Sequence, residues 1–133
     1  SNTDPTFLRN RVRNQILPLF LQENPNFLEN TAQLWRQSQL DAQMFAQNSP
    51  QVRVHKDGLL LKDHELRQAP SAMRLRWYKK VLDELGPGQA LSSNLFNLDK
   101  AFESKNTGAS VQFPGNKVAT VLTDGIVFSC KEN

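Results

Sequence analysis

The residues best suited to chemistry on anions are clusters of arginine and lysine. The first cluster lies near the amino terminus, where Arg9, Arg11 and Arg13 fall within five residues. A guanidinium group is planar and donates two parallel hydrogen bonds, so a pair of them on one side of a helix suits a phosphate or a carboxylate. Alternatively, their aliphatic stems lie along the edge of an apolar stripe while the charged ends stay in water. Composition alone leaves both interpretations open.

A second cationic cluster lies in the segment SAMRLRWYKKVLDEL, residues 71–85. Its apolar residues recur at helical spacing, and Arg76, Lys79 and Lys80 fall on the opposite face. Asp83 and Glu84 lie four residues after Lys79 and Lys80, so i,i+4 ion pairs are predicted to cancel part of the positive charge. A solvated and partly neutralised helix face is therefore the alternative to a binding surface.

Arg74 differs from these cations because it falls within the broad apolar sector of the same segment. A buried charge needs a partner. Arg74 is therefore either an interface residue or a side chain whose charged end reaches out to water along an apolar surface. The sequence does not decide between these two.

Most catalytic and metal-binding templates are absent from the sequence. His55 and His64 are the only histidines and Cys130 is the only cysteine, and their spacing fits no zinc site, so we predict no metal on this chain. No nucleophile elbow or paired-carboxylate signature is present. The glycines of Gly86-Pro87-Gly88 follow a predicted helix instead of a strand, which favours a helix stop and a loop over a phosphate cradle.

Bulk composition limits the possible classes. The chain has 133 residues, a net charge of +3 and only 38% hydrophobic residues, with a pI near 9.2. It is long enough for one domain, or one domain with a helical extension, and its charge permits nucleic-acid contact without requiring it. No apolar run approaches the roughly 20 residues of a membrane span. The single cysteine fits a reducing compartment, so we predict a cytoplasmic protein without membrane contact.

The first 48 residues predict two helices and no strand. Asp4-Pro5 is a helix-start signal, and Pro18 is predicted to end or kink the first helix near Leu17. The second helix is predicted from about Pro25 to Gln47, and Asn48-Ser49-Pro50 follows it. This part carries apolar stripes but no evident core of its own.

The remaining residues predict an α+β fold. Alternation on both sides of Lys56-Asp57-Gly58 indicates a hairpin. One helix is predicted from Ser71 to a stop at Gly86, and another begins at Ser92 or Ser93. Three short strands follow, with turns at Pro114-Gly115 and Asp124-Gly125. We therefore predict a helical connector over 1–48, then a small mixed domain of helices and antiparallel hairpins over 49–133.

The opening stretch resembles a motif of one enzyme family. The pattern Ser1-Asn2-x-Asp4-x-x-Phe7-x-Arg9-Asn10-x-x-Arg13-x-x-x-Leu17-Pro18 is similar to a motif of bacterial tRNA(Ile)-lysidine synthetases, where the nucleotide-binding domain ends and a helical connector begins. NPNFLENTAQLW and SAMRLRWYKKVL resemble the connector helix and the substrate-binding domain of that family. Ser1-Asn2 is either native motif or a tag remnant.

This resemblance implies a function for the parent enzyme. ATP would adenylate the C2 oxygen of the wobble cytidine in the anticodon of an isoleucine tRNA, and the amine of lysine would then displace AMP to form lysidine. The family's Gly-rich S-G-G-x-D-S loop for ATP is absent here. The resemblance thus implies a substrate-recognition fragment that follows a missing nucleotide-binding domain. Alone it should be inactive, while the full-length enzyme would need ATP and Mg²⁺.

The same resemblance implies roles for particular residues. Arg9, Asn10 and Arg13 match the family motif and would position groups at the edge of the active site. The residues that would contact tRNA are all cationic: Arg11, Arg74, Arg76, Lys79 and Lys80. Trp77 and Tyr78 can stack on bases, although the spacing of Trp77 favours core packing.

Two alternatives belong to other classes. In the first alternative, the chain is a protein–protein interaction module that docks a partner through its N-terminal helices. In the second it is a free-standing RNA-binding domain, but the RNA-binding signatures of RRM and KH domains are missing. Salt response distinguishes the first alternative, because RNA binding falls steeply with salt and helix docking does not.

Overall fold

A computed structural model describes residues 5–131. Ser1, Asn2 and Asp4 of the predicted motif therefore lie outside the described residues. The chain divides into two compact units, the first ending at Ala46 and the second beginning at Gln47. Each unit is described by itself. The roles predicted for residues 1–48 and 49–133 remain predictions.

The first unit consists of helices. Helix α1 (Pro5–Arg11) continues into a π-helical segment (Val12–Ile16), helix α2 (Leu17–Glu23) follows without a break, and helix α3 spans Phe27–Gln47. The prediction that Pro18 ends the first helix near Leu17 is thus wrong, since the helical segments run on to Glu23.

The wide π turn explains how the chain passes Pro18. Proline has no backbone N–H, and its ring clashes with the carbonyl four residues earlier in a regular α-helix. In the π segment a backbone N–H donates to the carbonyl five residues earlier instead of four, as the Leu17 N–H does to the Val12 carbonyl. Pro18 then sits at the start of α2, where an N–H is not required. The sequence signal was real, but its result is a π segment instead of a helix end.

The second unit contains a five-stranded antiparallel sheet. Its strands are β1 (Val52–His55), β2 (Gly58–Lys62), β3 (Ser110–Phe113), β4 (Lys117–Leu122) and β5 (Gly125–Cys130). They lie side by side in the order β1-β2-β5-β4-β3. In the predicted first hairpin His55 pairs with Gly58, which leaves Lys56 and Asp57 as the turn. All three turns lie where the sequence predicted them.

Three helices complete the second unit: α4 (Asp63–Gln68), α5 (Ser71–Leu85) and α6 (Ser92–Glu103). Leu61, Ile126 and Val121 are partners across β2, β5 and β4 and are all buried. They pack with side chains of all three helices in one core cluster, so the helices lie on one face of the sheet. The predicted α+β class is confirmed. Among residues 5–131, no helix is long and apolar enough to span a membrane.

One loop of the second unit is held by a buried lysine. Lys117 is 1% exposed, and its Nζ donates to the carbonyl oxygens of Gly86 at 2.7 Å and Gly88 at 3.3 Å. The loop after α5 packs so closely on the β3–β4 turn that a Cβ at Gly115 would lie 2.1 Å from the Pro87 carbonyl oxygen. The carbonyls of this loop therefore face a protein cation, which agrees with its prediction as a helix stop and loop.

Candidate nucleic-acid interface

Helix α5 separates a buried face from a cationic one. Its buried residues are Arg74, Tyr78, Val81 and Leu82, at the three- and four-residue intervals that line one side of a helix. The three cations predicted on the opposite face are exposed in the structure: Arg76, Lys79 and Lys80. The helical periodicity thus places these three side chains together at the surface.

The contacts of these cations differ. Lys79 Nζ lies 2.8 Å from Asp83 Oδ2, so the first predicted i,i+4 pair forms. The second predicted pair does not: within the described chain no ion pair joins Lys80 to Glu84, and Lys80 Nζ instead donates to Ser49 Oγ at 3.0 Å. Hydrogen bonding to a neutral hydroxyl leaves the charge of Lys80 uncompensated. The face therefore keeps more positive charge than the sequence pattern predicted.

Arg74 is not part of this surface. Its side chain is 8% exposed, and its Nε and Nη2 donate to the two carboxylate oxygens of Asp99 at 2.7 and 2.9 Å. Nη1 donates to the Ala69 carbonyl oxygen at 2.7 Å, and Nη2 also contacts Glu103. All three nitrogens are thus used inside the unit. We correct the prediction that Arg74 contacts tRNA, and neither alternative offered for it, an interface residue or a side chain reaching water, describes a buried ion pair.

The ion pair belongs to a buried network that fixes α5 against α6. The Tyr78 hydroxyl donates to Asp99 Oδ1 at 2.7 Å, so Tyr78 is not available to stack on a base. Burial raises the pKa of the Tyr78 hydroxyl above its ordinary value, and the hydrogen bond to Asp99 raises it further. The hydrogen bond to Asp99 likewise raises the pKa of Arg74, against the opposing effect of burial. This network sets how the cationic face is presented.

Sequence reasoning missed Asp99, although a signal was present. The residue lies between Leu98 and the next buried side chain of α6, Phe102, on the apolar side of the helix. An acid in an apolar stripe requires a buried cation, and Arg74 was the other charge in an apolar sector. The pattern therefore marks Asp99 as a charge that needs a buried partner, whereas the packing of α5 on α6 decides that this partner is Arg74.

The N-terminal cluster lies in the other unit. Arg9 and Arg11 are in the last turn of α1 and Arg13 is in the π segment, and these three side chains and Asn10 are exposed. No hydrogen bond or ion pair within residues 5–131 engages the three guanidinium groups. Phe7, Asn10 and Arg11 line one hollow with Asn14 and Gln15.

The histidines make only local contacts. His55 Nδ1 accepts from the Asp57 backbone N–H at 3.2 Å, and His64 Nε2 lies 3.2 Å from Gln68 Nε2. No group of three or more His, Cys, Asp or Glu side chains in the described part of the chain is arranged to hold a metal ion.

Comparison with known proteins gives this geometry a context. No protein-family model matches the chain. Over 97% of its length, however, the chain is 33% identical to a tRNA(Ile)-lysidine synthase of Nitratidesulfovibrio vulgaris strain Hildenborough. The chain belongs to the tRNA(Ile)-lysidine synthase family.

Shorter matches point to the same family. A 45-residue stretch is 51% identical to the tRNA(Ile)-lysidine synthase of Streptococcus pyogenes serotype M3, and covers 34% of the chain and 10% of that protein. A 54-residue stretch is 44% identical to the tRNA(Ile)-lysidine synthase of Enterococcus faecalis strain V583, covering 41% and 11%. The chain spans 43% of the length of the Nitratidesulfovibrio synthase, so it corresponds to less than half of that relative.

Proposed function

We propose that this chain is the tRNA-contacting part of a tRNA(Ile)-lysidine synthase. Support comes from the 33% identity over nearly the whole chain, together with the exposed cations of α5. In this proposal the complete enzyme adenylates the wobble cytidine of isoleucine tRNA with ATP and attaches lysine, in the cytoplasm. In this proposal the complete enzyme requires ATP, Mg²⁺ and lysine.

The α5 face would contact tRNA phosphates. Lysine and arginine on a helix surface neutralise phosphates and release bound counterions, which gives affinity without reading sequence. Lys80 supplies more of this attraction than Lys79, because Asp83 partly compensates the charge of Lys79 whereas Lys80 donates to a neutral hydroxyl. Contact at this face would hold the RNA while the adenylation step occurs elsewhere.

The N-terminal cluster would act at the edge of the catalytic site. Arg9 and Arg13 are exposed, and no acceptor in the described chain engages them. Both are therefore free to donate to tRNA phosphates or to carboxylates of a neighbouring domain. We assign to Arg9, Asn10 and Arg13 the role of positioning the reacting groups in the adenylation step. Cationic donors stabilise the negative charge that develops in such a step. Arg11 would contact the tRNA.

The salt dependence of tRNA binding tests this proposal. The test compares the chain with a triple variant, Arg76→Gln, Lys79→Gln and Lys80→Gln, binding an in vitro transcribed isoleucine tRNA. Each lost phosphate contact reduces the slope of log K against log salt by about 0.7–0.9. We therefore expect the slope to fall by about 2, measured by fluorescence anisotropy at several salt concentrations.

A matched control removes the same net charge elsewhere. Lys56, Lys100 and Lys131 are exposed and lie off the α5 face, so their triple replacement by Gln should leave the slope within about 1 of the parent. If the slope falls equally in both triple variants, net charge alone explains the change, and the assignment to α5 is contradicted. If the unaltered chain does not bind the tRNA at low salt, the proposed function is wrong.

One observation favours a second candidate, a docking module. No described residue of the first unit is buried, and large apolar side chains of α1 to α3 are exposed, among them Leu19, Leu34 and Trp35. Such faces bury against a partner in many complexes. The tRNA experiment separates the candidates, because association through apolar helix faces would not weaken as salt rises.

A further inference from the structure

The second unit contains a cleft that the proposed phosphate contacts do not use. It lies between the start of α5 and the segment that precedes β1, and its volume is about 370 Å³. That value lies within the range of small-ligand sites in proteins. Its walls include the Trp77 ring, Met73, Pro50 and Pro70.

Trp77 is fixed in this cleft by contacts on two sides. Its indole Nε1 donates to the Asn48 carbonyl oxygen at 2.6 Å, and part of the ring packs against the core. The ring is half-buried, so its remaining surface faces the cleft. A rigid aromatic surface with its polar group already bonded is suited to stacking against another flat ring.

The charge of the cleft excludes a phosphate and favours a neutral ring. Glu65 is the only ionisable side chain among its lining residues, and no hydrogen bond or ion pair within the described residues engages its carboxylate. A carboxylate repels an anion but accepts from the exocyclic amino group of a base, as it does from cytosine N4.

The positive charges lie beside the cleft instead of inside it. Lys80 reaches from α5 to Ser49, which is a lining residue. Arg76 precedes Trp77 in the helix and is exposed. A nucleic acid strand whose phosphates lie on these two cations would thus have a base within reach of the Trp77 ring. Phosphate contacts outside and an aromatic ring inside are the arrangement of single-strand binding sites.

We propose that this cleft binds one unstacked nucleobase of an RNA strand, which stacks on Trp77 and donates its exocyclic amino group to Glu65. This inference rests on the proposed function, since it needs RNA at the α5 face. It adds the element of the RNA that this surface accepts: a base that is not paired, from a loop, a bulge or an end.

Fluorescence of Trp77 tests the inference directly. The chain has two tryptophans, and Trp35 is 67% exposed, so Trp35→Phe leaves Trp77 as the sole tryptophan with little effect on folding. The probes are a twelve-nucleotide oligocytidylate and an abasic ribose-phosphate strand of equal length, at low salt. Stacking should quench Trp77 with the oligocytidylate only, and the oligocytidylate should bind more tightly.

Two substitutions at Trp77 separate stacking from folding. Trp77→Leu should weaken oligocytidylate binding about 5- to 150-fold, the range for loss of one base–aromatic stack, and leave binding of the abasic strand unchanged. Trp77→Phe keeps an aromatic ring but loses the bond to Asn48, so it should retain most of the affinity. If the two variants weaken binding equally, or weaken the abasic strand as well, the stacking role is wrong.

Glu65→Gln tests the choice of base. The parent chain should prefer oligocytidylate to oligouridylate, because uracil has no exocyclic amino group, and the variant should lose that preference. If both strands and the tRNA bind without quenching Trp77, the inference fails and the proposed function stands. Binding of the tRNA but of neither strand also overturns the inference. Absence of all binding, including that of the tRNA, overturns the proposed function with it.

Discussion

The side chain of Arg74 connects three parts of the second unit. Its guanidinium group donates to Asp99 on α6, to the Ala69 carbonyl before α5 and to Glu103 one turn further along α6. A guanidinium group buried in this way is costly if its carboxylate partner is removed. The pair contributes less than its geometry suggests when both charges are present, but the loss of one is costly.

Asp99→Ala should therefore destabilise the protein strongly. We expect the free energy of unfolding in urea to fall by about 3–5 kcal/mol, the cost of breaking a buried pair. Glu103→Ala is the control: this side chain is 58% exposed, so its removal should cost about 1 kcal/mol or less. A loss below about 1 kcal/mol for Asp99→Ala would mean that water or Glu103 replaces the missing carboxylate.

Tyr78 makes stability fall in alkaline solution. Burial and the bond to Asp99 raise its pKa, whereas an unfolded tyrosine ionises near 10. The native state then binds one more proton than the unfolded state. The contribution of Tyr78 is complete below about pH 10 and is lost as pH rises, by about 1.4 kcal/mol per pH unit.

Absorbance of tyrosinate measures this effect, since Tyr78 is the only tyrosine. The signal should stay absent above pH 10 and develop together with unfolding. Tyr78→Phe should remove this component of the pH dependence. Titration of the tyrosine near pH 10 in the folded protein would contradict the buried hydrogen bond.

At single positions, the sequence predicted exposure better than pairing. Arg76, Lys79 and Lys80 lie at the surface because helical periodicity decides which face is apolar. The pairing of Arg74 with Asp99 joins residues 25 positions apart, and only the packing of α5 on α6 brings them together. For the same reason, Lys80 donates to Ser49 and not to Glu84. A contact between distant parts of the sequence replaces the predicted local one.

Elements were predicted wherever local signals were strong. The hairpin turns, α5 and α6 follow from glycine, proline and periodicity. Helix α4 was missed because its six residues, Asp63–Gln68, are too few to show a helical period. The strand order was not predictable either, since β5 pairs with β2 across all three helices and two strands of sequence.

The loop after α5 and the β3–β4 turn should be intolerant of one added methyl group. Gly115 has φ +87° and its Cβ would meet the Pro87 carbonyl oxygen, whereas Gly108 has φ +94° and open space around it. Gly108→Ala should cost about 1–2 kcal/mol from the backbone alone. Gly115→Ala should cost about 1–3 kcal/mol more, measured by urea unfolding. Equal costs would mean that the loop moves freely.

The whole molecule places its buried core in one unit. The core cluster draws only on residues between Leu61 and Phe128, and no described residue of the first unit is buried. Burial of apolar surface drives cooperative folding. The second unit therefore has a buried core that stabilises its fold, whereas the described residues of the first unit form none.

A shortened chain tests this difference. Residues 47–133 alone should unfold in one cooperative thermal transition within about 5 °C of the complete chain, which corresponds to roughly 1 kcal/mol. A peptide of residues 1–46 should show helix by circular dichroism but no sharp transition, because isolated helices are marginal in water. A large loss of stability in residues 47–133 would show that the first unit contributes to the core.

The strand order also determines how the sheet meets other copies of itself. Its two outer strands, β1 and β3, have only four residues each, and β1 carries the exposed cation Arg53. Short edge strands, one of which carries a charged side chain, offer few free backbone groups for intermolecular β pairing. Concentrated solutions of the protein should therefore resist cross-β aggregation, although its helices expose many apolar side chains.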